Sequence, residues 1–305
     1  MKLSFIIPVF RGEHTIQSLF KSIQSTCNKY KYNFEVIFIW DCGPDNSWTS
    51  ISKLKNEFPE SVKAIRLSRN FGQHNAIICG FAHATGEFMV TMDEDLQHDP
   101  VDVKLLVEKQ REKDYEVVYG CYSNPQHAFF RNFISKIFRK ILAIGITDLH
   151  KDFSAFRLIK RDLALATLEM QNSYTFLDGY ISWITNNVGS VNVSHNSRFS
   201  GKSSYSMKKL INHSVNIFVT FSTIPIKLVT WLSLLFFVFT FGYAIYILLQ
   251  KLIFNNLIPG FASIIVLIGF SIGSILFGMS VIGEYIHRIN LKTTRRPNFR
   301  ISEIL

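Results

Sequence analysis

The sequence predicts an α/β protein with a mostly parallel sheet, carrying a membrane hairpin behind it. Three observations predict this. Short β-rich runs alternate with stretches of helical periodicity up to about residue 200. Polar and charged residues of unusual type fall where those runs end. Two long uncharged segments occupy the last third of the chain.

The β-rich runs are "LSFIIP", "EVIFIW", "VKAIRL", "FMVTM" and "EVVYG". The opening "MKLSFIIPVF" is short, ends its apolar run around Pro8 and lacks a small-residue cleavage site, so it reads as the first strand and not as a signal peptide. In a parallel sheet, ligands bind outside the carboxyl ends of the strands. Those ends carry Glu13 after the first run, Asp41 after the second, Arg69 and Asn70 after the third, and Asp93 and Asp95 after the fourth. No G-x-G-x-x-G follows the first strand, which disfavours a dinucleotide dehydrogenase. "GKSS" at Gly201 resembles the end of a phosphate-binding loop, but Asn196 stands where that motif needs glycine.

The stretch "TMDEDLQHDP" concentrates four carboxylates in a chain of net charge +10. If the backbone stays extended past Met92, Asp93 and Asp95 project to one side and Glu94 to the other. Two carboxylates facing one point suit Mg²⁺ or Mn²⁺, which take hard oxygen ligands and are commonly shared with substrate phosphates. Gln97 offers a neutral oxygen to the same ion. The competing reading is a solvated acidic turn, and for Asp99, followed by Pro100, that reading as a helix start is preferred.

Leu228–Leu249 contains no charge and exceeds the roughly 20 residues a helix needs to cross the hydrocarbon core; Pro259–Gly283 is a second such run. Lys208, Lys209 and Lys227 precede the hairpin, and Arg288, Lys292, Arg295, Arg296 and Arg300 follow it, whereas the elbow holds only Lys251. Both ends are therefore expected in the cytoplasm. Each basic residue near an anionic leaflet is attracted by roughly 1 kcal/mol, which accounts for much of the positive charge without nucleic acid. Gly269 and Gly273 form a G-x-x-x-G that permits close helix packing, although such spacing also arises by chance in membrane helices. Before the first span, Met207, Leu210, Ile211, Val215, Phe218 and Phe221 recur at helical spacing. That helix either lies in the membrane interface or packs on the soluble domain.

The expected organisation is thus residues 1–204 as the catalytic domain, 205–225 as an amphipathic helix, 226–283 as the hairpin, and 284–305 as a basic tail. Composition fits such a chain: 28 Phe and a mean hydropathy of +0.16, in a length at which a single core stops growing efficiently. Cys27, Cys42, Cys79 and Cys121 show neither C-x-x-C spacing nor histidine partners, so they read as reduced thiols. Asn192 and Asn212 match a glycosylation tripeptide that means little without a secretory route. His74, His98 and His127 are not at metal spacing, and the four tryptophans read as core or membrane-interface residues.

The motifs "IIPVF" with Glu13, "WDCGPDNS", "RLSRNFGQHNAI", "GFAHATGEF", "DEDLQ", "FRLIKRD", "RFSGKSSYS" and "GEYIHRI" followed by "RRP" occur in this order. Together they resemble the inverting family 2 glycosyltransferases of GT-A fold, in the polyisoprenyl-phosphate branch with bactoprenol glucosyltransferases, undecaprenyl-phosphate aminoarabinose transferases and dolichol-phosphate mannose synthases. The resemblance implies a metal-dependent enzyme of the bacterial inner membrane that moves one sugar from a nucleotide-sugar, a UDP-sugar by preference, to undecaprenyl phosphate for cell-envelope glycan. It implies Pro8, Glu13, Asp41, Arg69, Asn70 and Asp93 on the donor, and Asp93, Asp95 and Gln97 on Mg²⁺ or Mn²⁺, with Asp93 and Asp95 catalytic. It further implies association through membrane helices.

The acceptor lipid phosphate, with a second pKa near 6, is mostly ionised at neutral pH and needs no strong base. Arg131, Ser135 and Arg139 share a helical face, and the resemblance places Arg131 and Ser135 on acceptor phosphate. Arg198 and Lys202 are further candidates for it; for Lys136, Arg139 and Lys140 a solvated face is an equal reading. The chain departs from the family at Arg11-Gly12 (usually Asn-Glu), at Cys42-Gly43 (usually Gly-Ser), at Tyr122 (often arginine) and at Ala155 (aspartate in some relatives); Arg157 is matched. Two other readings are a processive polysaccharide synthase, which would carry Q-x-x-R-W and more spans, and a catalytically silent membrane scaffold, against which Asp93, Asp95 and Gln97 argue.

Overall fold

The computed structural model describes residues 1–122, 149–170, 174–194, 216, 218–220, 222, 224–254, 260–293 and 297–305. Its centre is a sheet of eight strands in the order β7-β5-β6-β4-β1-β2-β3-β8. Strands β1 (Lys2–Val9), β2 (Asn33–Trp40), β3 (Val62–Leu67) and β4 (Phe88–Thr91) are the parallel block. Beyond β4 lie β5 (Val117–Tyr122), β6 (Arg157–Lys160) and β7 (Val188–Val193), with β6 antiparallel to both β4 and β5.

Helices cover both faces because parallel strands need crossover connections whose helices bury an apolar stripe on the sheet. On one face α1 (Ile16–Tyr30), α2 (Ser47–Glu57) and α4 (Val103–Lys113) pack against β-strand residues such as Phe5, Ile7 and Phe38. The α1 stripe is Ile16, Leu19, Phe20, Ile23 and Cys27, the spacing of one helical face. On the other, α3 (Gln73–His83), α5 (Arg161–Ala166) and α6 (Leu177–Ile184) cover Ile6, Ile37, Ile39 and Ile65. β1 is central, and all its residues after Lys2 are buried, which explains its unbroken apolar run. The four cysteines are free, and burial pushes the thiols of Cys27 and Cys79 up to about 12, so both are inert.

At the edge opposite the crevice, Glu35 is 4% exposed and accepts from Ser4 Oγ (2.6 Å), Thr85 N (2.6 Å) and Thr85 Oγ1 (2.7 Å), with Lys63 Nζ at 2.9 Å. Burial alone would raise this carboxyl; the donors from Ser4, Thr85 and Lys63 outweigh it and hold it at about 2. A carboxylate depressed in the folded state stabilises above its unfolded pKa and loses that contribution as pH falls. The protein should therefore lose about 3 kcal/mol between about pH 4.5 and pH 2 from this group alone. In Glu35→Gln, acid titration of stability should lose that step, and stability at pH 7 should fall by a similar amount; an unchanged acid profile would refute the assignment.

Helices α7 (Ile224–Phe254) and α8 (Phe261–Thr293) are long and apolar enough to cross a membrane, and their apolar surface is exposed, with Trp231, Leu235 and Leu252 among the most exposed residues. α7 outruns the expected span at both ends. α8 continues ten residues past Gly283, so the first half of the expected tail is helix. A Cβ added at Gly269 or Gly273 would meet nothing within 4 Å, so among the described residues the G-x-x-x-G marks no tight helix contact. Tyr285 Oη of α8 donates to Ser222 O, 3.0 Å, just ahead of α7.

The end of the tail is not free either. β8 (Ile301–Ile304) pairs antiparallel with β3, and Ser68 N donates to Arg300 O (2.9 Å) while Leu305 N donates to Ala64 O (2.9 Å). Asn298 Nδ2 reaches Met170 O at 3.1 Å. The last residues of the expected basic tail thus form a strand of the sheet. Their short pattern with Glu303 between isoleucines was hidden in a basic flank. Of the expected amphipathic helix, residues 216, 218–220, 222, 224 and 225 are among the described residues; all of these but Ser222 are helical.

Candidate active site

The sheet order places β1 between β2 and β4, so the chain winds outward to β3 and then returns to the opposite side of β1. The crevice between the carboxyl ends of β1 and β4 is the switch point, where open α/β sheets hold their ligands. Pro8 is the buried, next-to-last residue of β1. Ile6 O accepts from Met92 N (3.3 Å), and residue 8 points to the same side, past the last β4 ladder residue, Thr91. An N–H there would have no strand to donate to, so proline costs no ladder bond.

The loop after β1 is built around Glu94. Its carboxylate accepts from Phe10 N (2.8 Å) and Arg11 N (2.9 Å), tying the β4 end to the β1 end. Burial raises this carboxyl to about 7, the two amides opposing and the Asp93 and Asp45 charges adding to the rise. Gly12 N donates to Ser47 Oγ (2.9 Å), and Glu13 accepts from Asn46 N (3.2 Å) and Asn46 Nδ2 (3.3 Å). Glu13 therefore joins the first loop to the start of α2. Between them a side chain at Gly43 would stand 1.6 Å from Phe10 O, which explains glycine in "DCGPD".

Asp41, 4% exposed, accepts from Phe71 N (2.7 Å) and Gly72 N (2.8 Å), and burial raises its carboxyl against those two donors. It sits at the N-terminus of α3, where a carboxylate is favoured. Asp41 thus fixes the loop that presents Arg69 and Asn70, both exposed, with the Arg69 guanidinium 4.7 Å from the Phe71 ring. A donor base reaching Asp41 would have to share an oxygen with these amides, which the second lone pair of each permits. Cys42 beside it adopts φ 51, and its thiol donates to Leu67 O at 3.1 Å.

The acidic loop differs from the extended strand expected for it. β4 stops at Thr91, Glu94 and Asp95 form a turn, and Leu96 has φ 62, a left-handed conformation uncommon for a bulky residue. Glu94 goes to the β1 loop, while Asp93 Oδ1 accepts from Gln73 Nε2 (2.6 Å) and Asp95 Oδ1 from Gln97 N (3.2 Å). Asp93, Asp95 and Gln97 are all half-buried. Among the described residues no group of three or more His, Cys, Asp or Glu could hold a metal ion. The donor set is two hard carboxylates and one amide oxygen. That fits a cation completing its shell with phosphate and water, and does not fit a closed structural metal site.

Behind the loop, Arg157 is 1% exposed. Its Nε donates to Thr91 Oγ1 (3.1 Å), and Thr91 in turn donates to Ala155 O (2.6 Å). Its Nη1 pairs with Asp178 Oδ1 on α6, which also accepts from Tyr119 Oη (2.9 Å). Arg157 is accordingly a buried structural residue, and Ala155 contributes its carbonyl.

Pro8, Glu13, Asp41, Arg69, Asn70, Asp93, Asp95 and Gln97, expected on donor and metal, lie in or after the carboxyl ends of β1, β2, β3 and β4. Arg131, Ser135, Arg198 and Lys202, expected on the acceptor phosphate, lie outside the described residues, as do Lys136, Arg139 and Lys140; Tyr122 ends β5. Sequence reasoning gave no role in the site to Glu94, Gln73, His98 or Asp178. The first three lie inside quoted motifs, which was the available signal; Asp178 had none.

The family profile described as Glycosyl transferase family 2 matches residues 4–165, more than half of the chain. Among solved structures, that of S. aureus TarS 1-349 in complex with UDP-GlcNAc shares 16% identity, with 72% of this chain and 66% of that chain covered and a TM-score of 0.50. Mannosyl-3-phosphoglycerate synthase from Rubrobacter xylanophilus shares 10% identity over 71% of this chain and 72% of that chain, with a TM-score of 0.51. The chain spans less than two thirds of the TarS fragment, and at these identities the likeness carries the fold alone: the GT-A fold, a mostly parallel mixed sheet.

Proposed function

The chain belongs to glycosyl transferase family 2, and from that premise we propose that it transfers one sugar, with inversion, from a UDP-sugar to undecaprenyl phosphate on the cytoplasmic face of the bacterial inner membrane. The observation that carries the reading is the position of Asp93 and Asp95 at the end of β4, on the switch-point crevice. TarS, on the same fold, is solved with UDP-GlcNAc, which agrees with a UDP-sugar donor.

In this reading Asp41, Glu13 and Pro8 border the nucleoside, Arg69 and Asn70 approach the phosphates, and Asp93, Asp95 and Gln97 hold Mg²⁺ or Mn²⁺. The cation, when bound, neutralises charge on the leaving diphosphate. The chain's own part is alignment: the Asp41 carboxylate sets the α3 loop and Glu94 sets the β1 loop before the donor enters. The acceptor phosphate is its own nucleophile, so Ala155 in place of a base costs nothing. Arg131, Ser135, Arg198 and Lys202 are proposed to hold that phosphate.

Two features support the membrane acceptor. α7 and α8 present apolar surfaces of spanning length directly after the catalytic sheet. The return of β8 to that sheet agrees with two crossings that start and end on one side, and the basic flanks favour the cytoplasm as that side. The test of the donor half is calorimetry of UDP with full-length protein in detergent. Binding should require Mg²⁺ or Mn²⁺ and disappear with chelator; no metal-dependent binding would favour a silent scaffold.

A further inference from the structure

We infer that His98 and Gln73 are positioning residues of the acidic loop, His98 fixing the backbone of Asp93 and Gln73 its carboxylate. The inference rests on Asp93 being a metal ligand, as proposed above. Neither histidine spacing nor helix periodicity marks these residues; the hydrogen bonds do. With the β4 ladder ended at Thr91, the Asp93 amide donates to His98 Nδ1 at 3.1 Å. The chain doubles back through the left-handed Leu96 to bring that ring into place. His98 is 4% exposed and stacks on Phe156, ring centroids 5.1 Å apart and planes 16° apart, and Phe156 is itself fully buried. The acceptor is therefore mounted on the core of the sheet.

From the other side, Gln73 is the first residue of α3 and its Nε2 lies 2.6 Å from Asp93 Oδ1. The preceding Gly72, φ 89, has its amide held by Asp41. A continuous path thus runs from Asp41 through Gly72 and Gln73 to Asp93, joining the two ends of the donor crevice. A carboxylate oxygen has lone pairs to spare, so Gln73 can keep its bond while a cation takes another site on Asp93. Groups that orient a metal ligand in this way typically govern affinity by 10- to 100-fold.

The test is Mn²⁺ binding by full-length protein in detergent with UDP present, free Mn²⁺ being read by electron paramagnetic resonance. Gln73→Ala, at an exposed position, should fold as the unaltered protein and weaken Mn²⁺ binding about 10-fold. His98→Phe keeps the ring stack and deletes the acceptor, and should weaken it at least as much; His98→Asn, whose Oδ1 can accept from the same amide, should restore it. A purely structural role would lower thermal stability and leave Mn²⁺ affinity of the folded fraction unmoved. Gln73→Ala with unaltered affinity overturns the Gln73 half, and if His98→Phe does not fold, Gln73→Ala still decides. His98→Asn as weak as His98→Phe overturns the His98 half. Absence of UDP-dependent Mn²⁺ binding in the unaltered protein defeats the metal assignment itself and this inference with it, a result recognisable because it appears before any substitution is made.

Discussion

Asp95→Asn reduces sugar transfer by about 10³-fold while leaving the fold intact; that is the first expected result. The asparagine amide oxygen can still accept from Gln97 N, so the turn after β4 keeps its bond. The side chain is half-buried and neutral substitution there costs about 1 kcal/mol at most. What is lost is a negative oxygen for the cation. Removing one group that stabilises charge in a transition state costs roughly 10²- to 10³-fold, and a metal ligand stands at the upper end. Turnover with saturating donor, measured beside a thermal midpoint, separates the two effects. A variant that folds, and transfers at the unaltered rate, contradicts the role given to the acidic loop.

Asp178→Ala has the largest expected effect on stability. It leaves the Arg157 guanidinium buried, with its bond to Thr91 and the flanking Tyr119 ring as what remains among the described residues, and takes from Tyr119 Oη its acceptor Asp178 Oδ1. Breaking a buried ion pair from one side costs about 3–5 kcal/mol, because the remaining charge is uncompensated. At about 2–4 °C per kcal/mol for a domain of this size, the midpoint should fall by about 10 °C. Replacing the pair together, Arg157→Met with Asp178→Leu, should recover much of the loss, since a packed apolar pair avoids the desolvation cost. A midpoint for Asp178→Ala within 2 °C or so of the unaltered protein would show that the pair does not carry this load.

The parallel half of the fold was legible because buried parallel strands read as continuous apolar runs, and all five quoted runs are strands. The other three strands were not read. β6 is four residues that begin with Arg157 and end with Lys160, and the burial of Arg157 depends on partners elsewhere in the chain. β7 carries glycine, serine and asparagine, and β8 hides in a basic flank. Pairing of this kind is non-local and leaves little trace in a local pattern.

The site shows the same division. Residue types at strand ends located the crevice, since position along a strand follows from its length. The use of each side chain did not follow. Asp41 and Glu94 spend their oxygens on backbone amides. The acidic stretch turns at Glu94 because β1 ends alongside it and its loop supplies two amides to be satisfied. His98 looked like an ordinary histidine until its ring was seen against the Asp93 amide.

The central claim is transfer from a nucleotide-sugar to a lipid phosphate, and its most direct test is a donor panel. Detergent-purified full-length protein is incubated with undecaprenyl phosphate, Mg²⁺ or Mn²⁺, and UDP-, GDP- and dTDP-sugars in turn, and the lipid extract is read by mass spectrometry. The account predicts a gain of one sugar unit on undecaprenyl phosphate with a UDP-sugar, abolished by chelator. Metal-dependent binding of the nucleotide with no sugar on the lipid from any donor, and transfer instead to a water-soluble acceptor, would contradict it.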